Sequence, residues 1–124
     1  MASMKPRIAP DVFRKRLLLE GYFSREISAA VVKEYLLALA GHLNLRTYGE
    51  AIVFSPVSGM GRADNAGFDG FVPLIDSGIS VYVWSTASFF SAVVYTCKDF
   101  DSAAAIAFTK AFMDCRGEFE AQEF

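Results

Sequence analysis

The chain is poor in the residues that bind metals or form disulfide bonds. Its 124 residues include two cysteines, Cys97 and Cys115, and one histidine, His42. The two cysteines have neither metal-ligand nor Cys-x-x-Cys spacing, so we expect no metal site and two reduced thiols. Reduced thiols are typical of proteins in the cytoplasm, and we expect this localisation.

Strong charge and long apolar runs are also missing. The formal net charge is −2, which gives no electrostatic reason to expect binding to nucleic acid or to an anionic membrane. No apolar run approaches the roughly 18 residues that a membrane-spanning helix needs. The first ten residues lack the apolar segment of a signal peptide. We therefore expect neither a nucleic-acid partner nor a membrane partner.

Apolar and aromatic side chains, in contrast, are abundant. Hydrophobic residues make up 53% of the chain and aromatic residues 15%, with twelve phenylalanines. This composition and length suit one compact domain, residues 1–124, with a full hydrophobic core. We expect some of the aromatic side chains to line a pocket or a subunit interface.

Alternating apolar residues predict several strands. The expected strands are residues 13–24, 45–54, 68–75, 79–85 and 89–96. Residues 57–67 carry three glycines and predict an exposed loop, while 116–124 can add an edge strand or stay loose. Because Pro73 cannot donate a backbone hydrogen bond, its strand should lie at a sheet edge or be bulged there.

Helical periodicity predicts two helices. Ser28 is suited to cap a helix over 29–40 that ends at Gly41, and Asp99 or Asp101 can cap a second helix. This order of elements predicts an α+β fold, a two-layer sandwich of a mostly antiparallel sheet with two helices on one face. The second face also needs cover, so we expect a homodimer or a higher homo-oligomer in which two sheets stack.

The segment 74–97 carries the side chains with the clearest chemical potential. Asp76, Ser77 and Gly78 form a polar turn between two apolar strands, and Cys97 ends the next strand, 97 − 77 = 20 positions later. Alternating antiparallel strands can bring the hydroxyl and the thiol to one end of a sheet. Alternatively, Ser77 serves the turn geometry alone and Cys97 is a small buried strand residue.

Three polar or aromatic side chains share one face of the strand after this turn. Ser80, Tyr82 and Trp84 alternate along it, so they form either a binding surface or the less buried side of the sheet. Trp84 can be a pocket rim or a core residue. Asp69 and Asp76 can form a carboxylate cluster, or both can be solvated charges.

The order of these residues resembles the bacterial-type S-adenosylmethionine decarboxylases. The matching features are Asp76-Ser77, an alternating strand that runs to Trp84, and the pair Thr96-Cys97. More weakly, the segments RLLLEGYF and FDSAAAIAFTKAFM resemble the family's first strand and last helix. These small pyruvoyl enzymes supply decarboxylated S-adenosylmethionine for spermidine, a polyamine, and the chain would be a divergent member.

The resemblance implies a cofactor made from the chain itself. The chain would cleave itself before Ser77, which would become a pyruvoyl group whose ketone bonds the substrate amine and withdraws electrons as carbon dioxide leaves. Cys97 would return the proton. Trp84, Asp76 and Thr86 would bind the substrate, S-adenosylmethionine or a related amino acid. An unprocessed chain would have no cofactor.

Several positions depart from the family pattern. Gly78 and Tyr82 stand where the family has histidines, Asp69 replaces a serine that assists cleavage, and Thr86 replaces an acidic residue that binds the substrate ribose. Tyr82 and Asp69 are candidate catalytic residues, since a phenol and a carboxylate can transfer protons when burial tunes their pKa values.

These departures leave two further hypotheses. The chain can be an uncleaved homologue that binds S-adenosylmethionine or a partner enzyme as a non-catalytic regulatory subunit. It can also keep the fold and perform other chemistry on a related substrate.

Overall fold

A computed structural model describes residues 7–55 and 66–124. The elements in chain order are β1 (Lys15–Tyr22), α1 (Ala29–His42), β2 (Ile52–Phe54), β3 (Gly67–Leu74), β4 (Ser77–Trp84), β5 (Phe89–Thr96), α2 (Ser102–Met113) and β6 (Phe119–Glu123). The predicted loop 57–67 lies outside the described residues, apart from Ala66 and Gly67, and Gly67 is the first residue of β3.

The strands form one antiparallel sheet in the order β2-β3-β4-β5-β1-β6. Both helices pack on the same face of this sheet, which confirms the predicted α+β fold with two layers. The tail forms β6, which pairs with β1 at the sheet edge, so the edge-strand alternative for residues 116–124 is the correct one. No helix in the described ranges is long and apolar enough to cross a membrane.

The core lies between the sheet and the helices. Alternate strand residues such as Leu19, Ile79 and Val81 are fully buried against the helical layer, and Leu36 and Leu39 of α1 face them. Burying a side chain of this size stabilises the fold by about 1.5–3 kcal/mol. The period of two therefore fixes which face of each strand meets the helices and which face remains open.

Helix α1 begins where the sequence predicts and ends later. Ser28 accepts a hydrogen bond from the Val31 N–H at 3.2 Å, which confirms the cap. Gly41 does not end the helix as expected, since α1 runs to His42 with Leu43 as its C-cap. The chain turns at Asn44, whose φ of 58° lies in the left-handed region that ends many helices.

Helix α2 is capped at both ends by aspartates. Asp101, rather than Asp99, is the N-cap, and its carboxylate accepts a hydrogen bond from the Ala104 N–H at 3.2 Å. Asp114 ends the helix with a φ of 50°.

The strand expected over residues 45–54 is mostly not a strand. Only Ile52–Phe54 pairs with β3, and Thr47 makes one isolated bridge to Leu74. Gly49, with a φ of 102°, turns the backbone between these two contacts. The earlier residues are held instead by the hairpin turn described below.

Pro73 lies in a strand that is neither at the edge nor bulged. Strand β3 is second from the edge, but its pairing with β2 stops where Ile52 faces Phe71. Pro73 therefore lies beyond the end of the neighbouring strand, where no ladder hydrogen bond to β2 is needed.

A buried hydrogen bond between the two helices offers a test of the core. The hydroxyls of Tyr35 and Thr109 lie 2.9 Å apart, and both residues are fully buried. Burial raises the pKa of Tyr35, so this phenol stays neutral. Thr109→Val should lower the free energy of unfolding by about 1–3 kcal/mol, because it leaves the Tyr35 hydroxyl buried without its partner. Urea denaturation measures this change.

The double variant provides the control. Adding Tyr35→Phe to Thr109→Val removes both polar groups, and it should recover part of the lost stability. A double variant whose loss equals the sum of the two single losses would contradict this account.

Candidate functional site

The turn between β3 and β4 holds a buried carboxylate. The turn residues are Ile75 and Asp76, because Leu74 pairs directly with Ser77. The expected three-residue turn over 76–78 is therefore wrong, and Ser77 is the first residue of β4. A two-residue connection fixes the register of the two strands.

Arg46 binds this carboxylate through two groups. Its guanidinium Nη2 lies 2.9 Å from Asp76 Oδ1, and its backbone N–H donates to Asp76 Oδ2 at 3.0 Å. The Asp76 side chain is only 4% exposed, whereas that of Arg46 is 64% exposed. The side-chain and backbone hydrogen bonds from Arg46 hold the pKa of Asp76 below its usual value.

Ser77 has a strained backbone. Its φ is 130°, a region that residues with a side chain rarely adopt. Conformations of this kind cost about 1–3 kcal/mol and persist only where the surrounding structure enforces them. Here the enforcement comes from pairing on both sides, with Leu74 of β3 and Thr96 of β5.

Cys97 lies directly beside the peptide bond that precedes Ser77. The Cys97 backbone N–H donates to the Asp76 carbonyl oxygen at 2.8 Å, and Cys97 is exposed. The hydrogen bond to Asp76 and the charge of Asp76 raise the pKa of Arg46. The structure thus brings Ser77, Cys97 and Arg46 to one end of the sheet, as the alternation of strands predicts for the first two.

Asp69 and Tyr82 lie together, but away from this end. They face each other in the register of β3 and β4, on the open face of the sheet. Tyr82 is five positions from Ser77 along β4, which is about 17 Å in a strand. This separation does not support their predicted role as proton-transfer groups at Ser77. Because Asp69 pairs with Tyr82 and Asp76 lies in the turn next to Ser77, the same separation keeps the two carboxylates apart, and they do not form a carboxylate cluster.

Trp84 and Thr86 lie at the opposite end of β4 from Ser77. Trp84 is seven positions away, about 23 Å along a strand, and it packs against Phe89 with ring centroids 5.7 Å apart. Thr86 follows in the loop to β5. Trp84 and Thr86 are two of the three residues expected to bind the substrate. Within one chain, almost the full length of the sheet separates them from Ser77.

Two neighbouring concavities open on the uncovered face of the sheet. The first has a volume of about 260 Å³ and is lined by Phe71, Ser77, Gly78, Ser80, Val93 and Tyr95. The second has a volume of about 210 Å³, shares Phe71 and Ser80 with the first, and adds Ile52, Phe54, Asp69, Gly70 and Tyr82. We call the two together the open-face groove.

The ring of Phe71 packs directly over Gly78 in this groove. A Cβ atom built on Gly78 would lie 2.6 Å from Cε1 of Phe71, so the ring of Phe71 occupies the space of the missing side chain. The glycine at this position, where the resemblance leads us to expect histidine, therefore has a packing reason.

Sequence reasoning did not identify Arg46, Phe71 and Tyr95 as site residues. Arg46 is thirty positions from its carboxylate partner, and no local pattern links the two. Within each strand, the period of two separates Phe71, Tyr82 and Tyr95 from the buried positions. Strand periodicity could therefore have identified them as residues of the uncovered face. His42 packs against Phe108 in the helical layer, with ring centroids 5.0 Å apart.

Comparison with known proteins shows the fold. No family model matches the chain, and no curated protein matches it. Among solved structures, the crystal structure of the adenosylmethionine decarboxylase from Aquifex aeolicus VF5 is similar, with a TM-score of 0.65 and 20% sequence identity. The similarity covers 91% of this chain and 89% of that chain. The chain thus has an adenosylmethionine decarboxylase-like fold.

The Arg46–Asp76 pair predicts an acid-dependent loss of stability. Because the folded state lowers the pKa of Asp76, the pair contributes stability above the ordinary value of 3.8 and loses it as the pH falls through the lower folded value. Asp76→Asn should lower the urea midpoint at pH 7 and flatten its dependence on pH below about 4. Urea titrations between pH 2 and pH 7 measure both effects.

Arg46→Met is the matched variant for this test. It removes the guanidinium but keeps the backbone N–H donor, so it should weaken the pH dependence without abolishing it. If both variants kept the full acid dependence of the original chain, another carboxylate would be responsible.

Proposed function

We propose that the chain, on this fold, is an S-adenosylmethionine decarboxylase-like protein that cleaves itself before Ser77. In this proposal the resulting pyruvoyl group serves the decarboxylation of S-adenosylmethionine for polyamine synthesis. The observation that carries the proposal is the 2.8 Å hydrogen bond from the Cys97 N–H to the Asp76 carbonyl oxygen, at the strained residue Ser77.

This hydrogen bond suits the first step of self-cleavage. Ser77 Oγ would attack the carbonyl carbon of Asp76, and the bond from that carbon to the Ser77 nitrogen would break, giving an ester and a free amine. The carbonyl oxygen gains negative charge during the attack, and the Cys97 N–H is already placed to stabilise it. Breaking the peptide bond also releases the backbone strain at Ser77.

The remaining steps depend on few groups of the chain. Elimination of the ester would free the Asp76 carboxyl group, and hydrolysis with loss of ammonia would leave the pyruvoyl group at position 77. When formed, this group supplies a ketone that withdraws electrons as carbon dioxide leaves. The exposed Cys97 lies beside this position and would return the proton to the substrate carbon.

The Asp76 carboxylate is a poor proton acceptor for these steps. Its lowered pKa and its contacts with Arg46 keep it ionised and occupied. Its role in the proposal is to hold the turn, and through the turn to hold Ser77 in its strained conformation.

An uncleaved ligand-binding or regulatory subunit is the second candidate. The observation that favours it is the position of His42, whose ring packs on Phe108 in the helical layer. This chain has no other histidine, so no imidazole is available at the turn for proton transfer. Such a chain would bind S-adenosylmethionine, or an active partner enzyme, without releasing carbon dioxide.

Intact-mass measurement of the freshly purified chain separates the two candidates. The first predicts two fragments, residues 1–76 and 77–124, the second with a ketone at its first residue. Ser77→Ala should give one intact chain. Cys97→Ser should still cleave, because the backbone N–H remains, but it should lose at least tenfold in carbon dioxide release.

A single uncut chain without a ketone would refute the pyruvoyl mechanism. In that case, calorimetric binding of S-adenosylmethionine without release of carbon dioxide supports the second candidate. Absence of binding to the ligand and to an active enzyme would refute that candidate too.

We also propose that two copies stack through their uncovered sheet faces. This face exposes large apolar side chains on neighbouring strands, an arrangement typical of interaction sites. They are Ile52, Phe54, Phe71, Tyr82 and Tyr95. The sheet of the second copy would then cover the open-face groove.

Sedimentation of a surface variant tests this assembly. Phe54 is 68% exposed on the open face, and Phe54→Ser should weaken dimer formation by at least tenfold, because the ring would lose its apolar contacts. The matched control is Phe13→Ser, which removes a ring that is 47% exposed outside the sheet. Equal effects of the two changes, or a monomer without any change, would contradict the proposal.

A further inference from the structure

The strand register distributes charge unevenly over the uncovered face of the sheet. One row across this face holds three carboxylates, and we call it the acidic row. From β2 to β6, its residues are Phe54, Asp69, Tyr82, Ser91, Glu20 and Glu120. Among the strand residues that the structure describes on this face, Arg16 is the one basic side chain. It lies four positions from Glu20 along β1, about 13 Å, so the two do not pair within one chain.

Two carboxylates of the acidic row stand directly opposite each other. Glu20 and Glu120 face each other in the pairing of β1 with β6, and like charges in this position weaken a pair of strands. Arg116 is near, since its backbone N–H donates to the Tyr22 carbonyl oxygen at 3.1 Å, but its guanidinium lies 3.3 Å from Asp114. Within residues 7–55 and 66–124, no ion pair neutralises Glu20 or Glu120.

These carboxylates line a concavity of about 420 Å³ at the end of β1 that lies away from Ser77. We call it the acidic concavity, and its main walls are Glu20, Glu118, Glu120, Tyr22 and Phe89. The rings of Tyr22 and Phe89 lie 5.5 Å apart. A guanidinium suits such walls, because its edge pairs with carboxylates and its face stacks on aromatic rings.

Arg16 carries a guanidinium at the other end of the same strand. Its guanidinium carbon lies 5.1 Å from the centroid of the Phe124 ring. Its Nε is buried and makes no hydrogen bond with the residues that the structure describes, and no ion pair between described residues includes it. The charge of Arg16 is therefore available to a carboxylate of another molecule.

Symmetry decides which charges meet when two copies stack. Aligned sheets keep their strands within about 30° of each other, and a closed pair of identical faces is related by a two-fold axis between them. With the axis along the strands, each row meets the same row of the second copy, so the acidic row faces itself. With the axis across the strands, each strand meets its own copy reversed, and the Arg16 end of β1 faces the Glu20 end. Like charges that meet in an interface disfavour it, so the charges select the second arrangement.

We propose that two copies stack with the two-fold axis across their strands, so that Arg16 of each copy enters the acidic concavity of the other. This proposal rests on the stacked assembly proposed above and gives it one direction and one charged contact, made twice. The guanidinium lies between Glu20 and Glu120 of the second copy and over the ring of its Tyr22. The occupant of the acidic concavity is thus a second copy of this chain.

Charge reversal tests the direction, with the dissociation constant of the full chain measured by sedimentation equilibrium. Arg16→Glu should weaken the dimer by roughly tenfold or more, because a carboxylate would then meet the acidic concavity. Glu20→Arg should weaken it by a similar factor, because the new cation would meet Arg16 of the other copy. The chain with both changes should return to within about threefold of the original dissociation constant, because each new arginine then meets a new glutamate.

The matched control is Lys33→Glu. It makes the same change of charge as Arg16→Glu, but on the exposed side of α1, in the layer that the second copy does not touch. Since the charge there is far from the interface and screened by salt, it should change the dissociation constant less than about twofold.

The sign of the Glu20→Arg effect separates the two directions. With the axis along the strands, Glu20 would lie against the acidic row of the second copy, so a tighter dimer would overturn the proposal. A dimer that neither reversal weakens, or that the double change does not restore, would also overturn it but leave the stacked assembly standing. A monomer without any change would overturn both. Failure of the proposed self-cleavage is a separate result, read from the mass of the chain.

Discussion

The pairing of the Asp76 carboxylate with Arg46 is the constraint on which the site depends. The carboxylate lies inside a two-residue turn and receives donors from a segment thirty positions earlier. A slip of one residue between β3 and β4 would turn Ile79 and Val81 away from the helices and toward the open face. The same contact therefore fixes the buried core and the strained backbone at Ser77.

The sheet distributes the functional side chains along its length. Its end at the turn carries the reactive groups, its middle carries Asp69 and Tyr82, and its far end carries Trp84. One chain cannot bring Trp84 and Ser77 to the same small ligand, because a strand is extended and rigid along its axis. Position in a strand, and not similarity of residue type alone, decides which side chains can share a substrate.

Much of the fold follows from local sequence patterns. The cap at Ser28, an aspartate cap at position 99 or 101 and the strand over 89–96 were predictable because the signals are local, namely a cap oxygen and a period of two. The strand expected over 45–54 failed since that segment is held by Arg46 in a contact between distant parts of the chain. The sequence of this segment contains no local pattern that predicts the contact between Arg46 and Asp76.

The candidate site was predictable to a similar degree. The approach of Ser77 and Cys97 follows from counting residues through two antiparallel strands. The separation of Asp69 from Asp76 required the register, which only the observed two-residue turn defines. The partnership of Gly78 with the ring of Phe71 depends on how neighbouring strands pack, and a single strand pattern does not contain that information.

The two borders of the sheet limit how copies of this protein can associate. On one side β2 offers only three residues, and on the other β6 carries Glu120 and Glu123 among its five. Short and acidic borders discourage the addition of a foreign strand, the route by which exposed sheets grow into aggregates. Concentrated solutions of the chain should therefore resist fibrous self-association, even though the uncovered face of the sheet exposes large apolar side chains.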